Sequence, residues 1–317
     1  MRTRHAQDLL GFVLLAALLE GTALGCTSTP TPTPSGSSRP TSPPAPSGPV
    51  GLIAFVSDRE GADALFLMNA DGSGVRRLTQ DLPAVSHPAW SPDGRRLAFN
   101  AGSPTASDLY LIAADGSGLT RVTRDMSANF YPSWSPDGRR LAFSSNRDGD
   151  WDIFVMDVDG SNTRQLVDSP GLDDKPQWSP DGSRIGFATT RNGAPELFSV
   201  NPDSTGEEPL FPAPVRGINP AWTVDGSRLA YNVVTSAGFD IAVVAADGSA
   251  WRSVVAGSAS EERPRWSSDG RSLAYYSDEK GSWDVYVVDV ETGARRPLTQ
   301  APGFDVQPAW QPVTVGG

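Results

Sequence analysis

The side chains that could do chemistry in this chain of 317 residues are few. There is one cysteine, Cys26, and there are two histidines, His5 and His87. A histidine with carboxylates close to it can act as a general base or bind a cation. His87 has five candidate carboxylate partners: Asp173, Asp174, Glu261, Glu262 and Asp305. This set defines a hydrolase or lyase hypothesis, although Lys175 and Arg263 would neutralise part of the acidic charge.

The composition excludes several classes of protein. Lys and Arg number 26 against 37 Asp and Glu, a formal net charge of −11, so the chain lacks the basic excess that a nucleic-acid partner requires. One cysteine allows neither an internal disulfide framework nor a cysteine-based zinc site. With 38% hydrophobic residues, 32 Gly and 28 Pro, we expect a β-rich, non-catalytic monomer with no cofactor.

The amino-terminal segment has the form of an export signal. Leu9–Leu19 is an unbroken apolar run of 11 residues, which suits a signal peptide and is too short to span a bilayer. The segment that follows ends at Cys26 and resembles the lipobox of bacterial lipoproteins. The resemblance implies a signal peptide over residues 1–25 and a lipid on Cys26, with ordinary cleavage near Ala23 or Gly25 as the alternative.

A spacer follows the cysteine over residues 26–50. Thr27–Pro49 contains 8 Pro and 11 Ser or Thr, a composition that favours an extended chain without a core. At about 3.1 Å per residue, it would reach up to about 70 Å. We expect it to tether a folded domain, residues 51–312, with a tail at 313–317. The anchor would be on the outer face of the cytoplasmic membrane, in the periplasm or at the outer membrane.

The rest of the chain is a repeat of 44 residues. A tryptophan marks the same point of every copy: Trp90, Trp134, Trp178, Trp222, Trp266 and Trp310. A proline stands two residues before each tryptophan, and an Asp-Gly turn follows the first five. Repeats of this period are typical of propellers and solenoids. Because the same large aromatic recurs in every copy, we expect these tryptophans to pack between repeats.

Each copy contains four short strands. In the third copy they are predicted at Lys175–Ser179, Arg184–Thr189, Glu196–Asn201 and Glu208–Phe211. Four antiparallel strands make a propeller blade. The domain begins in second-strand sequence and ends with a lone first strand at Val306–Gln311. We therefore predict an all-β, six-bladed propeller, closed by three amino-terminal strands and one carboxy-terminal strand that leave no open edge.

The repeat resembles the WD-like propeller repeats of the TolB family. Pro132 to Phe143 reads Pro-Ser-Trp-Ser-Pro-Asp-Gly-Arg-Arg-Leu-Ala-Phe, and the resemblance covers residues 51–312. The same repeat forms the propeller of the dipeptidyl-peptidase and prolyl-oligopeptidase families. Those peptidases add a hydrolase domain, whereas this chain has no Gly-x-Ser-x-Gly nucleophile motif. TolB proteins place an α/β domain before the propeller, where this chain has the spacer.

The positions that differ between copies are the candidate recognition residues. In this family the first strand is innermost, which implies that the residues just before the prolines ring the mouth of a central channel: His87, Tyr131, Lys175, Asn219, Arg263 and Gln307. The five carboxylates named above precede them. Loops between second and third strands should reach the same face. They carry three arginines, Arg59, Arg147 and Arg191, and three non-periodic aromatic residues, Trp151, Phe239 and Trp283. Trp and Arg are enriched where binding energy concentrates.

Two functions follow from these patterns. The first is an exported, lipid-tethered, non-catalytic propeller that binds an envelope protein or peptide through its channel face, the kind of partner that the resemblance to TolB implies. The second is an envelope enzyme, or a sensor of a small ligand or glycan, that uses His87 and the channel carboxylates. We expect no cofactor; the alternative is a cation bound in the channel by those carboxylates.

Overall fold

The computed structural model describes residues 50–211 and 215–313. The predicted signal peptide, the lipidated Cys26, the spacer up to residue 49 and the tail from residue 314 lie outside the described residues. Within the described part, no helix has the length and apolar character needed to cross a membrane.

The described residues form six sheets of four antiparallel strands, named here as blades in chain order and given from the inner strand outward. Blade 1 contains β24 (Asp305–Trp310), β1 (Leu52–Ser57), β2 (Ala64–Asn69) and β3 (Arg76–Arg77). Blade 2 contains β4 (Val85–Trp90), β5 (Arg96–Ser103), β6 (Ala106–Ala113) and β7 (Thr120–Arg121). Blade 3 contains β8 (Asn129–Trp134), β9 (Arg140–Ser145), β10 (Asp152–Asp157) and β11 (Arg164–Val167).

The second half repeats the same order. Blade 4 contains β12 (Asp173–Trp178), β13 (Ile185–Thr189), β14 (Glu196–Val200) and β15 (Glu208–Pro209). Blade 5 contains β16 (Gly217–Trp222), β17 (Arg228–Val234), β18 (Phe239–Ala245) and β19 (Arg252–Val255). Blade 6 contains β20 (Glu261–Trp266), β21 (Ser272–Ser277), β22 (Asp284–Asp289) and β23 (Arg295–Pro297).

The ring closes in blade 1, where the last strand of the chain pairs with the first. β24 runs antiparallel to β1, with Ile53 opposite Trp310 and Ser57 opposite Asp305. The inner strands also contact one another in sequence around the axis, from β4 through β8, β12, β16, β20 and β24 back to β4. The predicted six-bladed propeller is therefore confirmed, and the strand bounds differ from prediction by about two residues, as in β12, which begins at Asp173 because Asp173 pairs with Thr189.

The hairpin turns that follow the inner strands of blades 2–6 are built by their own side chains. In blade 3 the amide of Gly138 donates to the carbonyl of Ser135 at 2.9 Å, and Gly138 has φ 67°, which glycine adopts at no steric cost. The Ser135 hydroxyl donates to Asp137 at 2.5 Å and accepts the amide of Arg140 at 2.9 Å. The Ser135 hydrogen bond is the main cause that lowers the pKa of Asp137.

The periodic tryptophans lie between neighbouring blades. The Trp134 indole donates to the carbonyl of Ala89 in blade 2 at 3.1 Å, and the Arg96 guanidinium lies 5.0 Å from the centre of its ring. Five of the six tryptophans are buried, and Trp222 is half-buried. Trp222 instead packs on the backbone of Gly186 in blade 4, where an added Cβ would lie 2.3 Å from the ring.

Every inner strand carries a β-bulge at the residue before its proline. In all six strands that residue holds φ between 54° and 57°, and the pairing with the second strand shifts register there, as between Asp174 and Gln177 in β12. Positive φ is uncommon for residues other than glycine, and a bulge turns a side chain away from the regular alternation of a strand. The six bulge residues, His87, Tyr131, Lys175, Asn219, Arg263 and Gln307, are the positions that distinguish the copies.

The bulge amides find acceptors on neighbouring strands. The amide of His87 donates to Gln307 Oε1 at 2.7 Å, and that of Lys175 donates to Ser144 Oγ at 3.1 Å. The amide of Arg263 donates to Asn232 Oδ1 at 2.9 Å. Because a buried amide without an acceptor is costly, these side chains stabilise a backbone that places the bulge residues around the axis.

Candidate functional site

The bulge residues converge on a pocket in the channel. Five of the six bulge residues line it: His87, Tyr131, Lys175, Asn219 and Arg263. The rest of the lining comes from residues that follow them, which are Pro88, Ala89, Pro132, Pro176, Gln177, Pro220 and Arg265. The space amounts to about 400 Å³, open solvent included. The sixth bulge residue, Gln307, holds the amide of His87. The structure thus brings together the six side chains that the comparison of copies singled out.

A line of aromatic rings runs from a loop of blade 3 into the pocket. Trp151, in the loop before β10, stacks on Phe130 with ring centres 5.4 Å apart. Phe130 meets the edge of His87 at 5.7 Å and lies 6.1 Å from Tyr131. The His87 and Tyr131 rings are 4.1 Å apart. Trp151, Phe130 and Tyr131 are all half-buried, so each keeps part of its surface available to a bound molecule.

Two cations lie over one ring of that line. Lys175 Nζ and Arg263 Cζ are each 4.7 Å from the centre of the Tyr131 ring, within the range of cation–π attraction. Lys175 also forms an ion pair with Asp174. Since Tyr131 and Arg263 belong to blades 3 and 6, which face each other across the ring, their contact crosses the channel.

The imidazole of His87 is oriented by an amide. Its Nδ1 lies 2.7 Å from Asn100 Oδ1, while Asn100 Nδ2 donates to the hydroxyls of Ser86 at 2.8 Å and Ser107 at 3.2 Å. In this orientation the oxygen of the Asn100 amide faces the imidazole ring. Nδ1 therefore carries the proton of the neutral ring, and Nε2 is its basic nitrogen.

Three of the carboxylates expected at the channel mouth lie inside the blades instead. Asp305 pairs with Arg59 at 2.7 Å, and Asp173 pairs with Arg191 at 3.2 Å. Asp173, Glu261 and Asp305 are each no more than 1% exposed, and none of them lines the pocket. Their placement at the mouth was wrong because the bulge follows them. In a regular strand Asp173 and Lys175 would share a face, but the bulge turns Lys175 alone toward the axis.

The other two carboxylates flank the pocket residues. Asp174 holds Lys175, as described above, and Glu262 accepts the Tyr276 hydroxyl at 2.6 Å. Neither lines the pocket. The acid set that the enzyme hypothesis placed beside His87 is therefore not assembled around it.

The loop arginines expected on the recognition face fold back into their blades. Each guanidinium lies over two phenylalanine rings, at 4.6–5.6 Å from the ring centres. The arginines are Arg59, Arg147 and Arg191, and their side chains are 17–19% exposed. Arg147 reaches Asn129 at 3.0 Å and Asp125 at 2.6 Å. The aromatic stacking and acidic partners within the blade outweigh hydration of the charge, so these groups were misplaced.

The loop aromatics divide in the same way. Trp151 belongs to the aromatic line. Phe239 is only 7% exposed and so is not at the surface where we placed it, because its blade buries the ring. Trp283 packs against Tyr276 at 5.2 Å beside the core cluster of blades 1 and 2.

Blade 6 replaces the arginine arrangement with a different set of charges. Glu279 stands at the repeat position of Arg59, and Tyr275 and Tyr286 stand where the phenylalanines do. Arg295, from the outer strand β23, supplies the cation and lies 3.4 Å from Glu279. Burial is the main cause that raises the pKa of Glu261 to about 7, with a contribution from Asp240.

Two polar side chains of the pocket and two supporting asparagines were not predicted from the sequence. Gln177 and Arg265 occupy the variable position of the Pro-x-Trp motif, which holds alanine or serine in the other four copies, so the same comparison of copies would have found them. Burial, followed by the charge of Arg263, lowers the pKa of Arg265 to about 10. Asn100 and Asn232 had no signal beyond being polar residues in apolar strands.

No resident metal centre stands out in the described residues. No three His, Cys, Asp or Glu side chains of residues 50–211 and 215–313 come close enough together to hold a metal ion.

Comparison with known proteins gives the family. The family described as "TolB beta propeller domain" matches residues 126–264 and 210–315, together more than half of the chain. A segment of 47 residues is 47% identical to the Tol-Pal system protein TolB of Geobacter metallireducens, covering 15% of this chain and 11% of that protein. Another match of 47 residues is 51% identical to the uncharacterized peptidase YuxL of Bacillus subtilis, covering 14% and 7%. The matched segments thus span about a tenth of each relative's length.

A solved structure agrees on the fold. The crystal structure of TolB from Acinetobacter baumannii superposes with a TM-score of 0.74 at 21% identity, over 82% of this chain and 66% of that one. The resemblance predicted from the Trp-Ser-Pro-Asp-Gly repeats is confirmed. With six four-stranded blades and a family match that spans four of them, the chain belongs to the TolB beta-propeller domain family.

Proposed function

We propose that this protein is an exported, lipid-tethered, non-catalytic propeller that binds an envelope protein or peptide through the channel face. The observation that carries the proposal is the aromatic line from Trp151 to His87. It joins a half-buried loop residue to the pocket by ring contacts of 4.1–5.7 Å. Half-buried aromatics beside a pocket are the usual anchors of protein interfaces.

Several further observations support this proposal. The similarity to a protein of the Tol-Pal system favours an envelope partner. The apolar run before Cys26 and the Pro/Thr-rich spacer favour export and attachment to a membrane. The engaged carboxylates of the channel strands favour binding over acid–base catalysis, since they are already committed to Arg59, Arg191 and Lys175.

Capture from envelope extract tests the proposal. The full-length chain with Trp151→Ala should capture much less of the partner protein than the wild type does. Trp251→Ala is the matched control, because Trp251 is 55% exposed and bonds to Tyr231 through its indole at 2.7 Å, away from the aromatic line. The captured proteins are identified by mass spectrometry. Equal capture by the wild type and both variants would show that the channel face is not the binding surface.

Sensing of a small ligand is the second candidate, and the pocket around His87 favours it. His87→Ala should then abolish the response to that ligand while capture of a protein partner stays intact. Loss of capture by His87→Ala, with no small ligand bound by the wild type, would favour the first function.

A further inference from the structure

We propose that the channel pocket is a carboxylate-binding site, formed by Arg263, Arg265 and Lys175 around the Tyr131 ring. That the carboxylate belongs to a peptide partner rests on the function proposed above. The site would accept either the carboxyl terminus of a chain or an acidic side chain, since both present the same group.

The charge of the lining is the first reason. The protein carries a formal charge of −11, yet the twelve residues around the pocket include three cations and no carboxylate. Of the carboxylates adjacent in sequence, Asp174 offsets the charge of Lys175 and Glu262 accepts the Tyr276 hydroxyl, so the arginines contribute most to the positive character of the lining. A cationic lining in an acidic protein is a local departure that favours an anionic ligand.

The two arginines of β20 are the second reason. Arg263 and Arg265 are separated by one residue, and each adds positive charge to the surroundings of the other. In the described part of the chain, the acceptor found for the Arg265 guanidinium is the carbonyl of Pro264 at 2.9 Å, although a guanidinium has five donors. Burial and repulsion from Arg263 disfavour its charged form, and a bound anion would offset both effects.

The shape of the donor set is the third reason. A guanidinium presents two parallel N–H groups that match the two oxygens of a carboxylate. Asn219 and Gln177, from blades 5 and 4, add neutral side-chain amides to the same pocket. Tyr131 lies under both Lys175 and Arg263 and also ends the aromatic line. A peptide lying on that line would therefore bring its carboxylate to the cations.

The test uses the full-length chain with arginine labelled by nitrogen-15. Four probes are titrated: acetyl-triglycine with a free carboxyl terminus, the same peptide as its amide, acetyl-Gly-Asp-Gly-amide and inorganic phosphate. We expect at least one carboxylate peptide to shift the Nε–H signals of Arg263 and Arg265, and the uncharged amide to leave them in place. The peptide that binds more tightly identifies the source of the carboxylate.

Substitutions separate the pocket from general charge. Arg265→Gln should weaken binding of the carboxylate peptide by about tenfold or more, the effect expected for loss of a charged hydrogen-bonding group. Arg265→Lys keeps the charge without the paired donors, so its affinity for the carboxylate peptide should lie between those of the wild type and Arg265→Gln. Arg139→Gln, which removes an exposed charge on a turn, should have no effect. Thermal unfolding of each variant checks that it folds.

The outcomes are distinct. Equal affinity for the amide and the carboxylate peptides, or affinity that survives Arg265→Gln in a folded protein, overturns the site. Binding of phosphate with neither carboxylate peptide overturns the assignment to a carboxylate. If the carboxylate peptides bind as expected while Trp151→Ala still captures its protein, the pocket stands and the proposed partner surface fails.

Discussion

Replacing Glu261 by glutamine should change how the stability of the propeller depends on pH. Glu261 begins β20 and is 1% exposed, and its Oε2 receives no hydrogen bond from the described residues. Burial and the nearby Asp240 raise its pKa from 4.5 to about 7, although Arg295 acts in the opposite direction. The buried side chain is therefore protonated in the folded state at a pH where the unfolded chain is already ionised.

The sign and size follow from linkage. Between pH 4.5 and 7 the folded state binds one more proton than the unfolded state, so stability falls as the pH rises. Above pH 7 the whole cost of ionising the buried group is present, about 3 kcal/mol from the shift at 1.36 kcal/mol per unit. Glu261→Gln has no such titration. Its stability relative to the wild type should increase by about 2–3 kcal/mol between pH 5 and pH 8.

Urea unfolding followed by tryptophan fluorescence at pH 5 and pH 8 measures this difference. Asp247→Asn is the control, because its bonds to Ser249 lower the pKa of this exposed carboxyl and place its titration below both conditions. The reasoning is refuted if Glu261→Gln and the wild type differ by the same amount at both pH values. A constant offset alone would report altered packing and no proton uptake.

Two further substitutions test the packing that builds the ring. Gly186→Ala should destabilise the protein by about 1–3 kcal/mol because the new methyl would overlap the Trp222 ring, at 2.3 Å. Gly257→Ala, where the nearest atoms to an added Cβ lie at 4.0 Å, should be near neutral in the same thermal melt. Asn232→Ala should cost about 3 kcal/mol in urea unfolding, since this fully buried amide bonds to four groups in blades 5 and 6. The exposed Asn192→Ala is its control, and equal losses from both asparagines would contradict this role of Asn232.

The fold could be predicted almost fully from the sequence. The constant spacing of the tryptophans set the number of blades, and the unmatched first strand at Val306–Gln311 set how the ring closes. Strand ends were less certain, because Asp173 and Asp174 are polar and gave no sign that they pair with β13. Pairing of the backbone, which any side chain permits, decided those ends.

The site could be predicted only in part. Comparison of the six copies identified His87 and the other bulge residues, because the residue type differs between copies at the position that faces the axis. It failed for Asp173 and Arg191, since their attraction to each other and the stacking of Arg191 on Phe198, at 4.6 Å, keep both inside the blade. Residue spacing does not reveal a β-bulge, so the directions of the side chains before and after the bulge could not be predicted.

The shared backbone of the six inner strands has a consequence for how this scaffold changes over time. Histidine, tyrosine, lysine, asparagine, arginine and glutamine all adopt the same φ within 3° before their prolines. The conformation is therefore set by the strand and not by the side chain it carries. Exchanging one of these residues changes the chemistry of the axis at a fixed backbone position. Gln307 also holds the amide of His87, and Tyr131 contacts Lys175 and Arg263, so ligand preference can diverge blade by blade but not independently at all six positions.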